Sequence, residues 1–494
     1  MSFLLVNPPL FWTFGDSRFS YLEMCRKVLD DVKELGSLPT EHLGLSSIQA
    51  YCAKKQIPVH VVNGIIAEHT SVEPTFADIV ALVRKHGEPT LIGFSGTSLV
   101  FQATLRLARM CLERWPNAHT IVGYDFGTLN FERILRDYPD IHFACRGDGE
   151  AVFATLAERL ANGRGYDDIP GLAYRGSDGR VRANEPVALD IDALPWPTRD
   201  ELPEVLRGGF CAGVYASRGC PYRCSYCALG QTSALFGNKS YRLRSIESVV
   251  EEMTYLKKEF DVRHITVVDD LFLTKSPTSQ ERARDFAERL LRRNLGVEWM
   301  IDARVDSIDR DLFALMRRAG LRKVYVGVET GSEEQLASYN KRYLLKEETQ
   351  LDRLKVLRDL DLEIIPGMLM FHPTVTTTEL RQSLDLIDEL GWESHYQLFN
   401  RIKLYPGTPL YDEYEAKGWA TGEWPVKDWE FRDPRAKHLS DAVLWTSMQS
   451  GATFQDVRNV FERHLAAWEN DVELTEPAPP PTFDAAALQR SGAA

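Results

Sequence analysis

The chain has 494 residues, of which 44% are hydrophobic and 26% are charged, a balance typical of soluble globular proteins with several domains. Acidic residues outnumber basic ones by 71 to 58, and the net charge of −13 without a basic run argues against a nucleic-acid partner. The N-terminus lacks the positive leader of a signal peptide, and no apolar run approaches the roughly 18 residues of a membrane span, so we expect a cytoplasmic protein without a membrane partner.

Residues 1–165 alternate short β-strand patterns with amphipathic helix patterns. The predicted strands are Phe3–Val6, Val59–Val62, Thr90–Phe94, Thr120–Val122 and Ile141–Ala144. The helices predicted among them include Ala77–Val83, Phe101–Arg114 and Ala151–Leu160. This alternation predicts an α/β domain with a parallel, doubly wound, Rossmann-like sheet, whose ligands bind beyond the carboxyl ends of the strands.

The last loop of this segment, Arg146-Gly147-Asp148-Gly149-Glu150, contains two glycines with the spacing of a dinucleotide fingerprint. The third glycine of that fingerprint is absent, because Val152 stands in its place. The loop also comes last in the predicted sheet rather than first. We therefore reject dinucleotide binding here.

Residues 166–206 are rich in Gly, Asp and Pro, and we interpret them as an extended linker. Within this linker, Trp196 lies between two prolines. We expect its ring to pin the linker between two domains.

Residues 207–405 again alternate strands with helices. The predicted strands are Phe210–Ser217, Ile265–Val268, Val297–Ile301, Val324–Val328, Ile364–Met370 and Tyr396–Ile402. The predicted helices include Ile246–Phe260, Ser279–Arg293, Arg310–Ala319, Glu347–Leu360 and Thr376–Leu390. Six such units are too few for a closed eight-unit barrel.

Three cysteines with the spacing C-x3-C-x2-C, Cys220, Cys224 and Cys227, follow the first strand of this segment. Three thiolates on one tight loop can hold three irons of a [4Fe–4S] cube and leave the fourth iron open for a ligand. An alternative is a structural zinc site completed by Cys211, although eight intervening residues are not a usual knuckle spacing. The remaining cysteines, Cys25, Cys52, Cys111 and Cys145, are scattered on apolar segments and are predicted to be small core residues.

This cysteine motif, with the aromatic Tyr226 before its last cysteine, resembles the radical S-adenosylmethionine (SAM) superfamily. The loops of residues 1–165 resemble the cobalamin-binding domain fused ahead of many radical SAM enzymes. The resemblance implies a partial, open (β/α)6 barrel and three cofactors: a [4Fe–4S] cluster on the three cysteines, SAM on the open iron, and cobalamin. It also implies an electron donor such as flavodoxin or ferredoxin.

Several residues at the carboxyl ends of the barrel strands are predicted to contact SAM. The resemblance assigns Arg304 and Glu329 to SAM and places Tyr226 against its adenine, while Asp269 ends the second strand at the same mouth. Asp269 with Asp270 as a helix cap, and Arg304 paired with Asp302 or Asp306, are the structural alternatives. His372, in a turn that departs from the family, is interpreted as a structural histidine in preference to a proton donor or metal ligand.

The cobalamin contacts implied by the resemblance lie on the loops of the N-terminal segment: Asn7, Pro8, Gly44, Thr97, Ser98, Gly123, Gly147 and Glu150. Two departures are informative. The Asp-x-His-x-x-Gly motif that supplies a histidine to cobalt in other cobalamin proteins is absent. The usual Gly-Gly-Pro-His stretch reads Gly123-Tyr124-Asp125-Phe126, so a scaffold that has lost its cofactor is an alternative.

Residues 406–472 form a mixed, mainly helical segment with dense tryptophans, namely Trp419, Trp424, Trp429 and Trp445. We expect most of them in the core, and an aromatic cap over the barrel mouth is an alternative. Residues 473–494 are rich in Pro and Ala and are predicted to be a disordered tail.

The resemblance implies that the chain methylates an unactivated carbon of a small metabolite, in natural-product biosynthesis, through methylcobalamin. Alternatives that keep the radical chemistry are a cyclisation or rearrangement without methyl transfer and a radical SAM enzyme with a vestigial cobalamin domain. A tRNA methylthiotransferase would require additional cluster cysteines and a basic tail, which this chain lacks. A zinc-stapled scaffold protein is the non-catalytic alternative.

Overall fold

The computed structural model describes residues 2–14, 17–20, 41–343, 348–447, 449 and 451–472. Cys25 and the predicted tail 473–494 lie outside these residues. Within the described ranges, no helix is both long and apolar enough to cross a membrane.

The N-terminal part contains a seven-stranded sheet and a short antiparallel hairpin. In chain order the strands are β1 (Ser2–Asn7), β2 (Phe11–Phe14), β3 (Ser17–Ser20), β4 (Val59–Asn63), β5 (Pro89–Phe94), β6 (His119–Val122), β7 (Phe143–Cys145), β8 (Leu172–Arg175) and β9 (Val181–Ala183). The sheet order is β4-β1-β5-β6-β7-β8-β9, and the first five of these strands are parallel. This confirms the predicted α/β fold class.

Helices cover both faces of this sheet: α1 (Leu43–Lys54), α2 (Val72–His86), α3 (Phe101–Arg114), α4 (Tyr124–Asp137) and α5 (Gly149–Ala161). The next helix, α6 (Leu202–Arg207), contacts the strand Ala212–Val214 of the second sheet. All six residues of β1 are buried, as expected for an inner parallel strand with helices on both faces. Leu4 and Val6 belong to one hydrophobic core, while Phe3 and Leu5 belong to another on the opposite face. The period of two along the strand thus divides its side chains between the two helix layers.

The predicted linker 166–206 is folded in part. β8 and β9 pair antiparallel and extend the sheet beyond β7. The turn between them is closed by Gly176 N–H donating to Arg180 O at 2.8 Å, and Gly179 takes a φ of +76°. Farther along, Trp196 Nε1 donates to Ser248 Oγ at 3.2 Å on a barrel helix, and its ring packs near Tyr255 of the same helix. These contacts attach the linker to the barrel, whereas its pinning between two domains stays a prediction.

The second part is an open, five-stranded parallel sheet surrounded by helices. Its strands are β10 (Ala212–Val214), β13 (His264–Val267), β14 (Glu298–Arg304), β15 (Leu321–Glu329) and β16 (Glu363–Met368). Two further strands, β11 (Ser217–Arg218) and β12 (Arg242–Leu243), form a separate antiparallel pair. The helices are α7 (Ala228–Ala234), α8 (Ile246–Phe260), α9 (Pro277–Arg293), α10 (Arg310–Arg318), α11 (Glu333–Ser338), α12 (Gln350–Asp359), α13 (Thr377–Leu390) and α14 (His395–Phe399). The order β10-β13-β14-β15-β16 is that of a partial barrel.

The sixth predicted strand, Tyr396–Ile402, is a helix in its first half, because α14 occupies His395–Phe399. Its second half is reduced to an isolated parallel bridge between Phe371 and Arg401. The Asn400 side chain donates to Met368 O at 2.5 Å and so supplies a hydrogen bond that a strand backbone would otherwise make. The sixth position of the barrel is therefore filled by irregular chain.

The C-terminal segment contains α15 (Pro409–Ala416), β17 (Ala420–Thr421), β18 (Asp428–Trp429), α16 (Pro434–Ser447) and α17 (Phe454–Glu469). Trp429 is buried under the barrel mouth and donates from Nε1 to Ile402 O at 2.8 Å. Trp424 is also buried, but its ring packs against Phe101, Phe126 and Tyr138 of the N-terminal part. These two tryptophans are core residues as expected, Trp445 is exposed, and the cap over the mouth stays a prediction.

A buried ion cluster joins the N-terminal part, the linker and the barrel. Arg199 of the linker donates to Glu41, which precedes α1, and to Glu252 of α8 at 2.5 Å. Glu41 also accepts from Gly213 N–H of β10 at 3.0 Å. Burial raises the pKa of Glu41 to about 7, although the Arg199 guanidinium acts in the opposite direction. A buried charge of this kind is costly when its partner is removed.

We therefore expect Arg199→Met to lower the free energy of unfolding by about 3 kcal/mol, because Glu41 keeps its burial and loses its cation. Arg207→Met is the control, since Arg207 forms an exposed ion pair with Glu204 and its loss should cost less than about 1 kcal/mol. Chemical denaturation followed by circular dichroism measures both. Equal effects of the two substitutions would contradict the importance of the buried cluster.

Candidate active site and cofactor-binding cavity

The cysteine loop begins directly after β11, and Gly219 forms its first turn. Gly219 has a φ of +85°, and a Cβ atom built on it would lie 2.1 Å from Ser240 O. No side chain fits between these backbones, so the loop requires glycine directly before Cys220. Cys220 N–H then donates to Ser233 Oγ at 3.1 Å, which attaches the loop to α7.

The middle of the loop is held by the chain around it. The Arg223 guanidinium donates to Gly230 O at 2.9 Å and to Tyr222 O at 3.2 Å. Ser225 N–H donates to Tyr339 O, and Ser225 O accepts from Leu410 N–H, each at 2.9 Å. The backbone between the cysteines is thus fixed by protein contacts alone, which favours a preformed site.

The three cysteines are free and partly accessible. Burial raises the pKa of the Cys220 thiol to about 11 and also raises the pKa of Cys227, so both need a cationic partner to ionise. Across the described ranges, no three His, Cys, Asp or Glu side chains converge as ligands of one metal ion. A cube bound through three separate irons does not require the sulfurs to meet at one point.

Cys211 does not join this group. It directly precedes β10, at the opposite end of that strand from the loop, and its Sγ lies 3.1 Å from Thr266 Oγ1 inside the barrel. The alternative of a zinc site completed by Cys211 is therefore not supported. The described cysteines outside the motif, Cys52, Cys111 and Cys145, are all buried, as predicted.

Asp269 and Asp270 brace the approach to the cysteine loop. One Asp269 oxygen accepts from Ala216 N–H at 2.6 Å and from Ser217 N–H at 2.9 Å, and the other accepts from Ser217 Oγ at 2.7 Å. Asp270 accepts from Gly219 N–H at 3.0 Å. Asp269 thus holds the strand before the loop with both oxygens, and its contact with SAM stays a prediction.

Glu329 ends β15 with a φ of +70° and lies buried at the barrel mouth. Its Oε1 forms an ion pair with Lys341 Nζ, and Tyr343 donates from its hydroxyl to Gly327 O beside it. Although burial alone would lower the pKa of Lys341, the Glu329 carboxylate raises it. The positive φ of Glu329, a non-glycine residue, indicates a backbone held by its surroundings.

Arg304, at the end of β14, pairs with Asp306, with 3.0 Å between Nε and Oδ1. Its guanidinium also lies 3.8 Å from the centre of the Tyr222 ring, inside the cysteine motif. Tyr226 packs edge-on against Tyr339 with 5.4 Å between ring centres. The structure thus gathers Arg304 and Tyr226 around the cysteine loop, as the SAM prediction requires, without testing the contact itself.

A cavity of about 540 Å³ lies between the carboxyl ends of the N-terminal strands and the cysteine loop. Of the predicted cobalamin contacts, five line it: Asn7, Gly44, Gly123, Gly147 and Glu150. Pro8, Thr97 and Ser98 lie on the same edge of the sheet but are not among its lining residues. Gly147 has a φ of +86°, and a Cβ on it would lie 2.5 Å from the Phe236 ring.

The lining of this cavity contains one histidine, His42, among the residues that the structure describes. Both of its ring nitrogens are engaged: Nε2 lies 2.7 Å from Ser95 Oγ, and Nδ1 accepts from Leu45 N–H at 3.2 Å. Burial lowers the pKa of His42 to about 4. Tyr124 and Asp125 project beside it, and burial raises the pKa of Asp125 to about 6.

An ion-pair bridge connects this cavity to the cysteine loop. Arg218, two residues before Cys220, donates to Glu150 Oε1 at 2.6 Å and to Ser47 Oγ at 3.1 Å. Arg242 of β12 binds both oxygens of Asp148 on the same glycine loop. Burial alone would raise the pKa of Glu150, but the Arg218 guanidinium holds this pKa below its ordinary value.

Sequence reasoning missed Arg218, Asp148, Arg242 and Lys341 as site residues. Arg218 and Asp148 stand inside motifs that were singled out, so their charge beside a cluster loop and a glycine loop was a usable signal. Lys341 gave no such signal, because it is twelve residues from Glu329. His372 Nε2 lies 3.3 Å from Glu379 Oε2, and that carboxylate caps α13; its structural role stays a prediction.

Similar proteins are found for the barrel and for the whole chain. Residues 214–387 match the Radical SAM superfamily. The chain is 28% identical over 375 residues to an uncharacterized methyltransferase of Pyrococcus horikoshii, a match that covers 75% of this chain and 77% of that protein. It is 30% identical over 287 residues to the anaerobic magnesium-protoporphyrin IX monomethyl ester cyclase of Rubrivivax gelatinosus. That match covers 55% of this chain and 49% of the cyclase, so the chain aligns with about half of its length.

Two solved structures share nearly the whole architecture. The cobalamin-dependent S-adenosylmethionine radical enzyme OxsB with aqua-cobalamin bound has a TM-score of 0.69 at 19% identity, over 94% of this chain and 71% of that one. The radical S-adenosylmethionine methyltransferase TsrM from Kitasatospora setae, with cobalamin and a [4Fe–4S] cluster bound, has a TM-score of 0.65 at 18% identity, over 95% and 100%. Residues 214–387 therefore form a radical SAM domain, and the chain as a whole has the two-part fold of OxsB and TsrM.

Proposed function

We propose that the chain is a cobalamin-dependent radical SAM enzyme that methylates an unactivated carbon of a small metabolite. One observation carries the proposal: the cavity at the carboxyl ends of the N-terminal strands is lined by Ser217, Arg218 and Gly219, which lead directly into the loop of three free cysteines. A reaction that needs both cofactors requires their sites to be neighbours. The similarity to the Pyrococcus horikoshii protein, which is named a methyltransferase, supports methyl transfer.

The residues present fit the cluster. Cys220, Cys224 and Cys227 are unbridged, and their loop is held by protein contacts rather than by one another. With the raised thiol pKa values, this donor set binds iron as thiolates once a cation is present. When bound, the cluster supplies the electron that cleaves SAM to methionine and a 5′-deoxyadenosyl radical, and cobalamin supplies the methyl group.

The residues of the cavity fit cobalamin without a histidine ligand. Gly44, Gly123 and Gly147 line the cavity without side chains that would fill it. His42 is neutral, and both of its ring nitrogens are engaged. This agrees with the missing Asp-x-His-x-x-Gly motif and leaves Tyr124 and Asp125 as the polar groups nearest that wall. The chain's own tasks are to orient the two cofactors and to exclude water between them.

Glu329, Arg304 and Tyr226 are the residues that we assign to SAM. Glu329 lies at the barrel mouth as a charged carboxylate and is suited to the SAM ammonium. Arg304 is stacked on Tyr222 of the cysteine motif and keeps its charge through Asp306, so it fits the SAM carboxylate or ribose. Asp269 acts beside them by holding Ser217 and the strand before the cluster loop.

The alternative function is cyclisation or rearrangement without methyl transfer, and the similarity to the Rubrivivax gelatinosus cyclase favours it. That similarity covers about half of the cyclase, whereas the methyltransferase match covers 77% of its relative. A radical SAM enzyme whose N-terminal part is a vestigial scaffold is the third outcome. An electron donor such as flavodoxin or ferredoxin is part of each proposal.

The cluster assignment predicts that Cys220→Ala, Cys224→Ala and Cys227→Ala each abolish reductive cleavage of SAM. After anaerobic reconstitution, the unaltered chain should bind about four irons, because three thiolates hold one cube. Iron and sulfide analysis with a 5′-deoxyadenosine assay measures this. Cys111→Ala, which removes a buried thiol of α3, is the control and should keep the iron. One zinc per chain without iron uptake would rule out the cluster.

The SAM assignment predicts that Glu329→Gln weakens SAM binding by about 1.5–3 kcal/mol, or tenfold or more, because a charged hydrogen bond is lost. The iron content should stay unchanged, since Glu329 is not on the cysteine loop. Glu333→Gln, on the exposed face of α11, is the matched control. Equilibrium dialysis measures the SAM affinity of both variants. An unchanged affinity of Glu329→Gln would mean that the Glu329 carboxylate pairs with Lys341 and does not contact SAM.

Counting the products of SAM separates methyl transfer from the alternatives. A hydrogen-abstracting methyltransferase uses one SAM for the radical and a second for remethylation, so we expect equal amounts of 5′-deoxyadenosine and S-adenosylhomocysteine. A CD3 label from SAM should appear in the product. A cyclase yields 5′-deoxyadenosine without stoichiometric S-adenosylhomocysteine. If added hydroxocobalamin neither binds nor changes the ratio, the N-terminal part is a vestigial scaffold.

A further inference from the structure

The guanidinium of Arg218 is held by residues of the N-terminal part. It donates to Glu150 Oε1 at 2.6 Å and to Ser47 Oγ at 3.1 Å, and Ser47 Oγ itself donates to the same Glu150 oxygen at 2.7 Å. Its second terminal nitrogen lies 3.6 Å from Asp148 Oδ1. Because Ser47 belongs to α1 and Glu150 to α5, two helices of the first sheet fix the position of this cation.

The backbone of Arg218, in contrast, belongs to the approach to the cysteine loop. Arg218 pairs with Arg242 across β11 and β12. The next residue, Gly219, lies so close to Ser240 that a Cβ atom would come within 2.1 Å of the Ser240 carbonyl oxygen. The chain is thus held on both sides up to Cys220, the first predicted cluster ligand. A shift of the Arg218 backbone is therefore passed on to Cys220.

Both halves of this connection line the N-terminal cavity. Asp148 and Glu150 line it from the glycine loop, while Arg218, Gly219 and Arg242 line it from the barrel side. A ligand that fills the cavity displaces water from the pair between Arg218 and Glu150. An ion pair becomes stronger when water is excluded from it, because the local dielectric constant falls.

We propose that Arg218 is a positioning residue that couples cobalamin binding in the cavity to the cluster on the cysteine loop. The inference rests on the proposed function, because it takes the cavity as the cobalamin site and the three cysteines as the cluster site. Exclusion of water strengthens the pair between Arg218 and Glu150, and the strengthened pair holds the cysteine loop in one position. Because such coupling is reciprocal, each cofactor raises the affinity of the chain for the other.

The dissociation constant of hydroxocobalamin with and without the cluster measures this coupling. The full chain is titrated anaerobically, first without iron and then after cluster reconstitution, by equilibrium dialysis with cobalt analysis. We expect the cluster-loaded chain to bind hydroxocobalamin about fivefold more tightly or better, the lower end of typical coupling between two sites. Equal dissociation constants of the two forms, or weaker binding to the cluster-loaded form, would overturn the proposal.

Arg218→Met keeps the length of the side chain and removes its charge and its hydrogen bonds. We expect this variant to bind each cofactor, while the ratio of its two dissociation constants falls to about one. Arg322→Met is the matched control, because it removes a barrel arginine whose ion pair with Glu298, at 2.9 Å, lies at the amino ends of β15 and β14. Its ratio should equal that of the unaltered chain. The same ratio in Arg218→Met would contradict the role of Arg218.

A double variant keeps the proposal testable if Arg218→Met folds poorly. The single substitution leaves Glu150 buried beside a lost cation, which is costly in general. Arg218→Met combined with Glu150→Gln removes both charges, and the amide keeps a polar group beside Ser47. The readout is the ratio rather than either affinity, because Glu150 is itself a predicted cobalamin contact. We expect a ratio of about one, and a ratio as high as in the unaltered chain would overturn the proposal.

A magnetic measurement distinguishes positioning from a loss of stability. Cob(II)alamin and the reduced cluster are both paramagnetic, and the dipolar coupling between them in an EPR spectrum depends steeply on their distance. We expect one defined coupling in the unaltered chain and in Arg322→Met, and a broader distribution of couplings in Arg218→Met. An equally narrow coupling in Arg218→Met would mean that the loop is positioned without Arg218.

Failure of this inference and failure of the proposed function give different results. If the chain takes up iron and binds hydroxocobalamin but the two dissociation constants agree, the coupling is wrong and the proposed cofactors stand. If the chain takes up no iron or binds no hydroxocobalamin, the proposed function fails, and the inference that rests on it fails as well.

Discussion

The geometry of the site depends on the bridge between Arg218 and Glu150, together with that between Arg242 and Asp148. These ion pairs link the glycine loop at the end of β7 to the strand that carries the cysteine loop. Each pair is largely shielded from solvent, so water and salt screen it less than they screen a surface pair. The glycine loop at the cavity wall and the strand before Cys220 are thereby held at a fixed distance, although they belong to different sheets.

Other buried charges in the chain are also paired. Glu41, Arg199, Glu252 and Arg244 form a structural cluster in which each charge has a partner. Glu329 with Lys341 repeats this arrangement at the barrel mouth. Asp302 differs, because burial and two neighbouring carboxyl groups act on it without a compensating cation.

Much of the fold was predictable from the sequence. Inner parallel strands are buried on both faces and form continuous apolar runs in the sequence, so β1, β4 and β5 were predicted to within a residue or two. The helices α3 and α8 have the predicted bounds. β8 and β9 were missed because a glycine-rich and aspartate-rich stretch was interpreted as linker, although Ser177-Asp178-Gly179 is a hairpin signal. Tyr396–Ile402 was wrong in its first half, because a short apolar run does not distinguish a strand from a buried helical turn.

The candidate site was predictable only where its chemistry is local. The cysteine spacing predicted the cluster loop, and five of the eight predicted cobalamin contacts line the cavity. The partners of these residues come from distant parts of the chain: Lys341 for Glu329, Glu150 for Arg218, and Tyr343 beside Gly327. Their pairing follows from the folded topology and from no pattern along the sequence.

The place of Trp424 has a consequence for how the two parts can be rearranged. This residue follows the barrel in the chain, yet its ring packs among Phe101, Phe126 and Tyr138 on the helices of the N-terminal part, with the Arg133 guanidinium 4.4 Å from its ring centre. The polypeptide thus returns to its starting module, and one continuous core includes residues of both. A chimera that exchanges residues 1–165 for those of a relative must also exchange the stretch around Trp424, or it will expose an aromatic pocket on one part and an unmatched indole on the other.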